Sequence, residues 1–356
     1  MGKPKKTKSK APVWNIRGAA KASGRNYLKQ QVQLHKPSFI AILEPKSRGS
    51  KLEMFAKRLG YEEHFCCEDI NRHIWLLWHP KVISVAVVEV TNQSISSIIE
   101  HQSGSMRVLA SVVYGLGNRF DRRRLWQSLS RQAPLDTTPW FIAGDFNVIS
   151  SWDEKKGGSR VSDGGMQEFN SFMTATGVSD LGYIGSPFTW SNNQSGRHRV
   201  WVRLDRALGN SHLLSSFPNI QVMHLPRVGS DHAPLLISLE RRERKGANFK
   251  YLRMWKSHDT FLHTIQGVWE GRRDRDPLVN LGQKLKDTAK ALGGWNKSTF
   301  GNRLRDMELK VASLEADLQA SWGSDSAEAL ITELDESTRN LEKALQDKVT
   351  LLREKA

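Results

Sequence analysis

Across residues 38–239 the chain returns again and again to short apolar runs rich in β-branched side chains. They read "SFIAIL" (38–43), "IWLLW" (74–78), "ISVAVVEV" (83–90), "RVLASVVYG" (107–115), "WFIA" (140–143) and "PLLISL" (234–239). Short runs of this composition are strand-like. Between them "RNYLKQQVQLH" (25–35), "RRRLWQSLSRQ" (122–132) and "GMQEFNSFMTATG" (165–177) carry apolar residues at helical spacing. Strands alternating with helices constrain the chain to an α/β domain, with sheet packed inside helices.

Several runs finish on a polar residue for which a buried strand has no ordinary use. Residues 140–149 read "WFIAGDFNVI", so Asp145 and Asn147 stand at the end of an apolar strand. A buried charge is costly without hydrogen bonds or a cation. Glu44 follows "FIAIL" and Tyr114 closes "SVVY", whereas Asp231 and His232 precede the last run. Strand ends converging on one rim would gather carboxylates, amides and an imidazole there. Hard oxygen ligands suit Mg²⁺, which takes one or two carboxylates and leaves its other positions to water and phosphate. Singly, each residue has a plainer reading. Asn15 in "WNIRGA" turns the chain, Tyr114 is a core aromatic, Asp205 in "VRLDRAL" pairs at the surface with Arg203 or Arg206, and His232 is a satisfied imidazole under a turn.

Charge indicates what such a rim would face. With 53 Lys and Arg against 37 Asp and Glu, the formal net charge of the 356-residue chain is +16, and its pI is near 9.9. Polyanions are the expected partners. Residues 1–245 hold 35 basic against 20 acidic residues, a net of +15, and residues 246–356 hold 18 against 17, a net of +1. No apolar run approaches the roughly 20 residues that span a bilayer. The lysine-rich start has no apolar stretch behind it, so no signal peptide and no membrane partner are expected. The neighbouring Cys66 and Cys67 suggest a reducing compartment rather than a disulfide framework. Residues 1–11 read as a flexible basic arm: a nuclear import signal, a phosphate-contacting tail, or a merely solvated terminus. The expected location is the nucleus, and otherwise the cytoplasm.

In order along the chain, "WNIRG", "LEPK", "VVYG", "GDFN", "RLDRAL" and "SDHAPL" resemble the endonuclease/exonuclease/phosphatase superfamily. "GSPFTWSN" (185–192), "VWVRLDRALGN" and "FPNIQVMHLPRVGSDHAPL" are similar to the endonuclease region of plant non-LTR (LINE-type) retrotransposon polyproteins. The resemblance covers about residues 13–240. It implies a four-layer α/β sandwich, two packed mixed sheets flanked by helices. By resemblance Glu44 is the principal metal ligand, with Asn15 beside it and Asp231 as an additional metal-site carboxylate. Asp145 orients or deprotonates the attacking water, and Asn147 holds that water or a phosphate oxygen. His232 contacts the scissile phosphate, Asp205 orients its imidazole, and Tyr114 offers a phosphate-contacting hydroxyl. The implied cofactor is Mg²⁺, with Mn²⁺ as the other candidate. The implied reaction is DNA endonuclease nicking of one strand, leaving 3′-hydroxyl and 5′-phosphate ends. Only "VW" precedes Asn15 where the family has a longer apolar run, so a short first strand is expected.

The expected organisation is the basic arm (1–11), the endonuclease/exonuclease/phosphatase domain (12–242), a helical connector (243–300) and a helical hairpin or coiled coil (301–356). In the last segment Leu304, Met307, Val311, Leu314 and Leu318, then Leu334, Leu341, Leu345 and Leu352, form an apolar stripe broken by "SWGSDS" (321–326). A two-helix brace is favoured there over a self-association device. No aromatic-x-Asp-Asp run occurs, so a truncated element product without reverse transcriptase is expected. "GLGN" (115–118) lacks the third glycine of a dinucleotide turn, and "GGWNKST" lacks the Gly-Lys pair of a P-loop. Two alternatives remain open: a phosphatase of the same superfamily acting on inositol phosphates or lipids, and a non-catalytic nucleic-acid-binding remnant.

Overall fold

The computed structural model describes residues 8–104, 106–159, 163–195, 198–240, 260–270, 277–296, 307, 310–311, 313–318 and 327–353. Two compact units make up the chain, one of residues 1–243 with 312–334, the other of residues 244–311 with 335–356.

In the first unit, strands β1 (Lys8–Asn15), β2 (Phe39–Leu43), β3 (Glu63–Cys67) and β4 (Asn71–Trp78) begin one sheet, and β5 (Ile83–Val90), β6 (Ser94–His101), β7 (Arg107–Tyr114) and β8 (Trp140–Asp145) begin another. Then follow β9 (Lys155–Lys156), β10 (Val178–Asp180), β11 (Trp190–Ser191), β12 (Trp201–Val202), β13 (Asp205–Asn210), β14 (Gln221–His224) and β15 (Leu235–Glu240). The orders are β14-β15-β1-β2-β4-β3, β10-β13-β8-β7-β6-β5 and, in a small third sheet, β11-β12-β9. Both large sheets are mixed: β1 is parallel to β2 and antiparallel to β15, and β7 is parallel to β8, which is antiparallel to β13.

Strand periodicity builds the layers, because alternate side chains point to opposite faces. Along β7, Val108, Ala110 and Val112 share a core with Phe39, Ala41, Leu43, Leu235 and Ile237 of the other sheet. Leu109 and Val113 point the other way, into a second core with Leu125, Trp126, Leu129, Phe169 and Phe172. Those residues come from the helices α3 (Arg119–Gln132) and α4 (Asp163–Thr176), whereas α1 (Ala22–His35) and α2 (Leu52–Leu59) cover the first sheet. There Trp14 meets Tyr27 edge-on at 5.8 Å, and Trp75 meets Phe55 at 5.6 Å. The result is the expected four-layer sandwich of two sheets flanked by helices. The short α5 (Ser211–Ser216) follows β13.

Two local expectations are corrected. The first strand is not confined to Val13 and Trp14, and the basic arm does not stay free to residue 11. Strand β1 starts at Lys8, because antiparallel pairing with β15 extends from Val13↔Leu235 out to Lys8↔Glu240. Backbone pairing with a buried neighbour carries these polar residues into the sheet. Residues 1–7 lie outside the described residues.

The second unit contains α6 (Thr260–Trp269) and α7 (Pro277–Asn296), packed through Phe261, Ile265, Leu292 and Trp295. Residues Ala327–Arg353 form one helix, α8. Of the apolar stripe, Val311, Leu314, Leu318, Leu334, Leu341 and Leu345 are buried, and Leu304 lies outside the described residues. No helix among the described residues is long and apolar enough to cross a membrane.

Candidate active site

Strand direction alone explains why the polar residues meet. Parallel β1 and β2 end together at Asn15 and Leu43, and parallel β7 and β8 end together at Tyr114 and Asp145. Antiparallel β13 begins at that same edge, with Asp205 paired to Asp145. Antiparallel β15 likewise starts where β1 ends, so His232, just before it, arrives beside Asn15.

Asp145 is held on three sides. Its Oδ2 accepts from Asn15 Nδ2 at 2.9 Å, its Oδ1 accepts from the Asn147 backbone N–H at 2.9 Å, and its own carbonyl accepts from Gly115 N–H at 2.7 Å. Asn147 then donates from Nδ2 to the Gly115 carbonyl at 2.8 Å, closing the loop after β8 onto the loop after β7. Gly144 is required for this register, since a Cβ there would lie 1.9 Å from the Val113 carbonyl oxygen.

His232 stands between two carboxylates. Its Nδ1 is 2.9 Å from Asp205 Oδ2 and its Nε2 is 3.8 Å from Asp145 Oδ2. Asp145, Asp205 and His232 are 1%, 2% and 3% exposed, which removes the surface-pair reading of Asp205. Arg203 and Arg206 pair instead with Glu154 and Asp180. Burial by itself would lower the His232 pKa, but Asp205 and then Asp145 outweigh it and hold the imidazole up at about 9. At neutral pH it is an imidazolium. Burial, reinforced by Asp205, pushes the Asp145 carboxyl well above the usual range, against the pull of His232 and Asn15. Tyr114 is raised to about 12 by burial and by the negative charges of Glu44 and Asp145, so its hydroxyl stays protonated.

Glu44 follows β2 with φ at +48°, and its carboxylate lies 3.0 Å from Lys46 Nζ. Four of the six described non-glycine residues with positive φ lie in the loops of this rim: Arg17, Glu44, Lys46 and Asn147. Such backbone conformations persist only where surrounding structure enforces them, and they cluster at functional sites. Asp231 is turned to another use, since its Oδ2 accepts from Arg17 and, at 3.0 Å, from Trp190 Nε1.

Asp145, Asp205 and His232 form a buried cluster whose ligand-type atoms lie within 4.8 Å of one another, a set that could hold a metal ion. His232 Nδ1 and Asp205 Oδ2 are already engaged with each other. Glu44 is free of that competition, and Asn15 Oδ1, which accepts only the Arg17 N–H at 3.2 Å, keeps a lone pair.

Sequence reasoning missed Thr189. Fully buried, its Oγ1 accepts from both Leu204 N–H at 3.0 Å and Asp205 N–H at 2.9 Å, while its carbonyl accepts from Ala233 N–H at 2.7 Å. One residue thus fixes both partners of the Asp205–His232 pair. Its only signal is a hydroxyl placed between two aromatics in "PFTW". Trp14 was missed as well: its indole N–H donates to the His232 carbonyl at 2.9 Å. The arginines around α3 are not all free cations. Arg122 is buried against the Leu116 and Gly117 carbonyls, Arg119 and Arg123 share Glu168, and Trp201 is core.

Among solved structures, the AP endonuclease LMAP from Leishmania major matches at TM-score 0.51 and 15% identity, covering 66% of this chain and 88% of that one. The endonuclease domain of TRAS1, a telomere-specific non-LTR retrotransposon, matches at TM-score 0.49 and 13% identity, covering 66% and 99%. TDP2 from D. rerio, complexed with single-strand DNA product, matches at TM-score 0.47 and 14% identity, covering 65% and 98%. These likenesses concern the fold. No curated protein matches the chain. The sequence model of the endonuclease/exonuclease/phosphatase family matches residues 13–232, more than half of the chain and the span from the end of β1 to His232, and the chain belongs to that family.

Proposed function

We propose that the chain is a divalent-metal-dependent phosphodiesterase that nicks one strand of DNA. The observation that carries this reading is the Asp145–His232–Asp205 arrangement, a buried carboxylate and a buried imidazolium held side by side where β8 ends and β13 begins. Phosphodiester hydrolysis needs a water aligned against phosphorus and positive groups where charge accumulates. Asp145, fixed by Asn15 and Asn147, aligns that water and takes its proton. The His232 imidazolium donates to a non-bridging oxygen, and Asp205 holds its ring in place. Tyr114, protonated, donates a further hydrogen bond to the phosphate. Glu44, with Asn15 Oδ1, would hold Mg²⁺, which when bound supplies Lewis acidity toward the phosphate. Asp231 completes such a site only when Arg17 yields it. The net +15 on residues 1–245 favours a long polyanion over a small phosphate ester.

Supercoiled plasmid incubated with Mg²⁺ tests this. Nicked circles with Mg²⁺ and none with EDTA are expected. Glu44→Gln should remove nicking while leaving duplex binding in EDTA nearly intact. Phosphate release from inositol phosphates without any nicking would overturn the DNA assignment.

A further inference from the structure

Behind Glu44 lies a cleft of about 490 Å³, lined by Glu44, Lys46, Arg48, Glu68, Arg72 and His73. It shares Glu44 with the proposed active site. Strand β4 pairs with β2 so that Leu43 faces Ile74, which sets His73 opposite Glu44, and Glu44 N–H donates to the His73 carbonyl at 2.8 Å. The His73 ring stacks on Tyr114 with centroids 4.6 Å apart. The opposite wall is the loop after β2, where Glu44 and Lys46 both adopt left-handed φ around a buried Pro45.

The charges in the cleft are unequally committed. Glu68 accepts the Gly49 N–H and keeps its negative charge, and Glu44 faces Lys46, so three cations of the cleft, Lys46, Arg48 and Arg72, stand against two carboxylates. Arg48 and Arg72 are both exposed, and neither has an ion-pair partner among the described residues. Two exposed guanidiniums lining one cleft, beside a proposed phosphodiester site, suit an oxyanion, since each presents a planar fork of donors.

We propose that Arg48 and Arg72 together bind one backbone phosphate of duplex DNA, a phosphate flanking the bond to be cut. This rests on the nuclease reading above. It adds that substrate is held beyond the scissile group, on the Glu44 side of the site. Lys46 is the link between the two positions, and His73 supplies the floor.

The test measures binding separately from cleavage. Affinity of the full chain for a fluorescent duplex is followed in EDTA over a range of salt concentrations. Each phosphate neutralised contributes about −0.9 to the slope of log K against log salt. Arg48→Ala with Arg72→Ala in one chain should flatten the slope by about 0.9, not twice that, because both side chains meet one phosphate. Arg72→Lys, which keeps the charge, should retain the wild-type slope. Arg107→Ala, at the far end of β7 from Tyr114 and paired with Glu100, should leave it unchanged. A double variant with native melting behaviour and an unchanged slope would overturn the subsite, as would equal flattening by Arg107→Ala. Plasmid nicking by wild type with Mg²⁺ is read in parallel. Nicking with an insensitive slope sinks the subsite alone, and a sensitive slope without nicking sinks the nuclease reading alone.

Discussion

A histidine between two buried carboxylates makes sharp demands. If Asp205 acts only by orienting His232, their losses should not add. Removing the imidazole by His232→Ala is expected to lower nicking by roughly 10²–10³-fold, the scale for one charge-stabilising donor. Asp205→Asn should approach that loss, and the double variant should be little worse than His232→Ala. Nicking rates for all four proteins decide it, and strictly multiplicative losses would show that the pair does not act as a unit. The same histidine links stability to pH. Its folded pKa of about 9 stands above the ordinary 6.5, so the folded chain binds the proton more tightly than the unfolded one. That stabilisation is complete below pH 6.5 and disappears as pH rises through 9. In EDTA, urea-unfolding free energy should fall by on the order of 1–3 kcal/mol between those limits. His232→Gln should abolish most of the fall, and an equal decline in both proteins would contradict the assignment.

At the scale of elements, the site depends on two sheets that need not stay in register with each other. Asp205 starts a strand of one sheet, and His232 leads into a strand of the other. The segment entering β11 bridges them through Thr189, which bonds Asp205 with its hydroxyl and Ala233 with its carbonyl. Thr189→Val keeps the shape but leaves two buried N–H groups without an acceptor, at a cost of about 1–3 kcal/mol in stability. Nicking should fall as well, mostly in kcat, with Thr189→Ser restoring both. A Val variant that melts lower yet cuts at the wild-type rate would limit Thr189 to a structural role.

For the whole molecule, charge is concentrated where the proposed chemistry is, and the nearly neutral C-terminal third contributes packing. Residues 312–334 belong to the same compact unit as the site. Arg227, in the loop leading to His232, pairs with Glu315 at 2.9 Å, with both side chains 8% exposed. Breaking a buried pair on one side strands a charge. Glu315→Ala is therefore expected to destabilise the full chain by about 3 kcal/mol in urea unfolding, whereas an exposed pair such as Lys57–Glu53 should cost under about 1 kcal/mol. Equal effects at the two places would show that Glu315 is not held as described.

The α/β class was legible along the chain, and so were the polar residues that close its apolar runs. Strand-length apolar runs alternating with helical spacing leave few architectures, and a carboxylate closing such a run, as Glu44 and Asp145 do, stands out along the chain. Partnership was another matter. Asp205 and Arg206 are neighbours in sequence, and a local reading joins them. Strand geometry sends them to opposite faces, Asp205 to His232 and Arg206 beneath α4 to Glu154 and Asp180. Thr189 shows no local pattern at all, because its role arises from groups contributed by distant strands. Arg48 and Arg72 likewise come to line one cleft only after β2 and β4 pair. Side-chain periodicity is a property of each strand, legible along the chain. Which strands become neighbours, and so which polar groups share a proton or line one cleft, is settled by burying both faces of each sheet at once, and that depends on the whole fold.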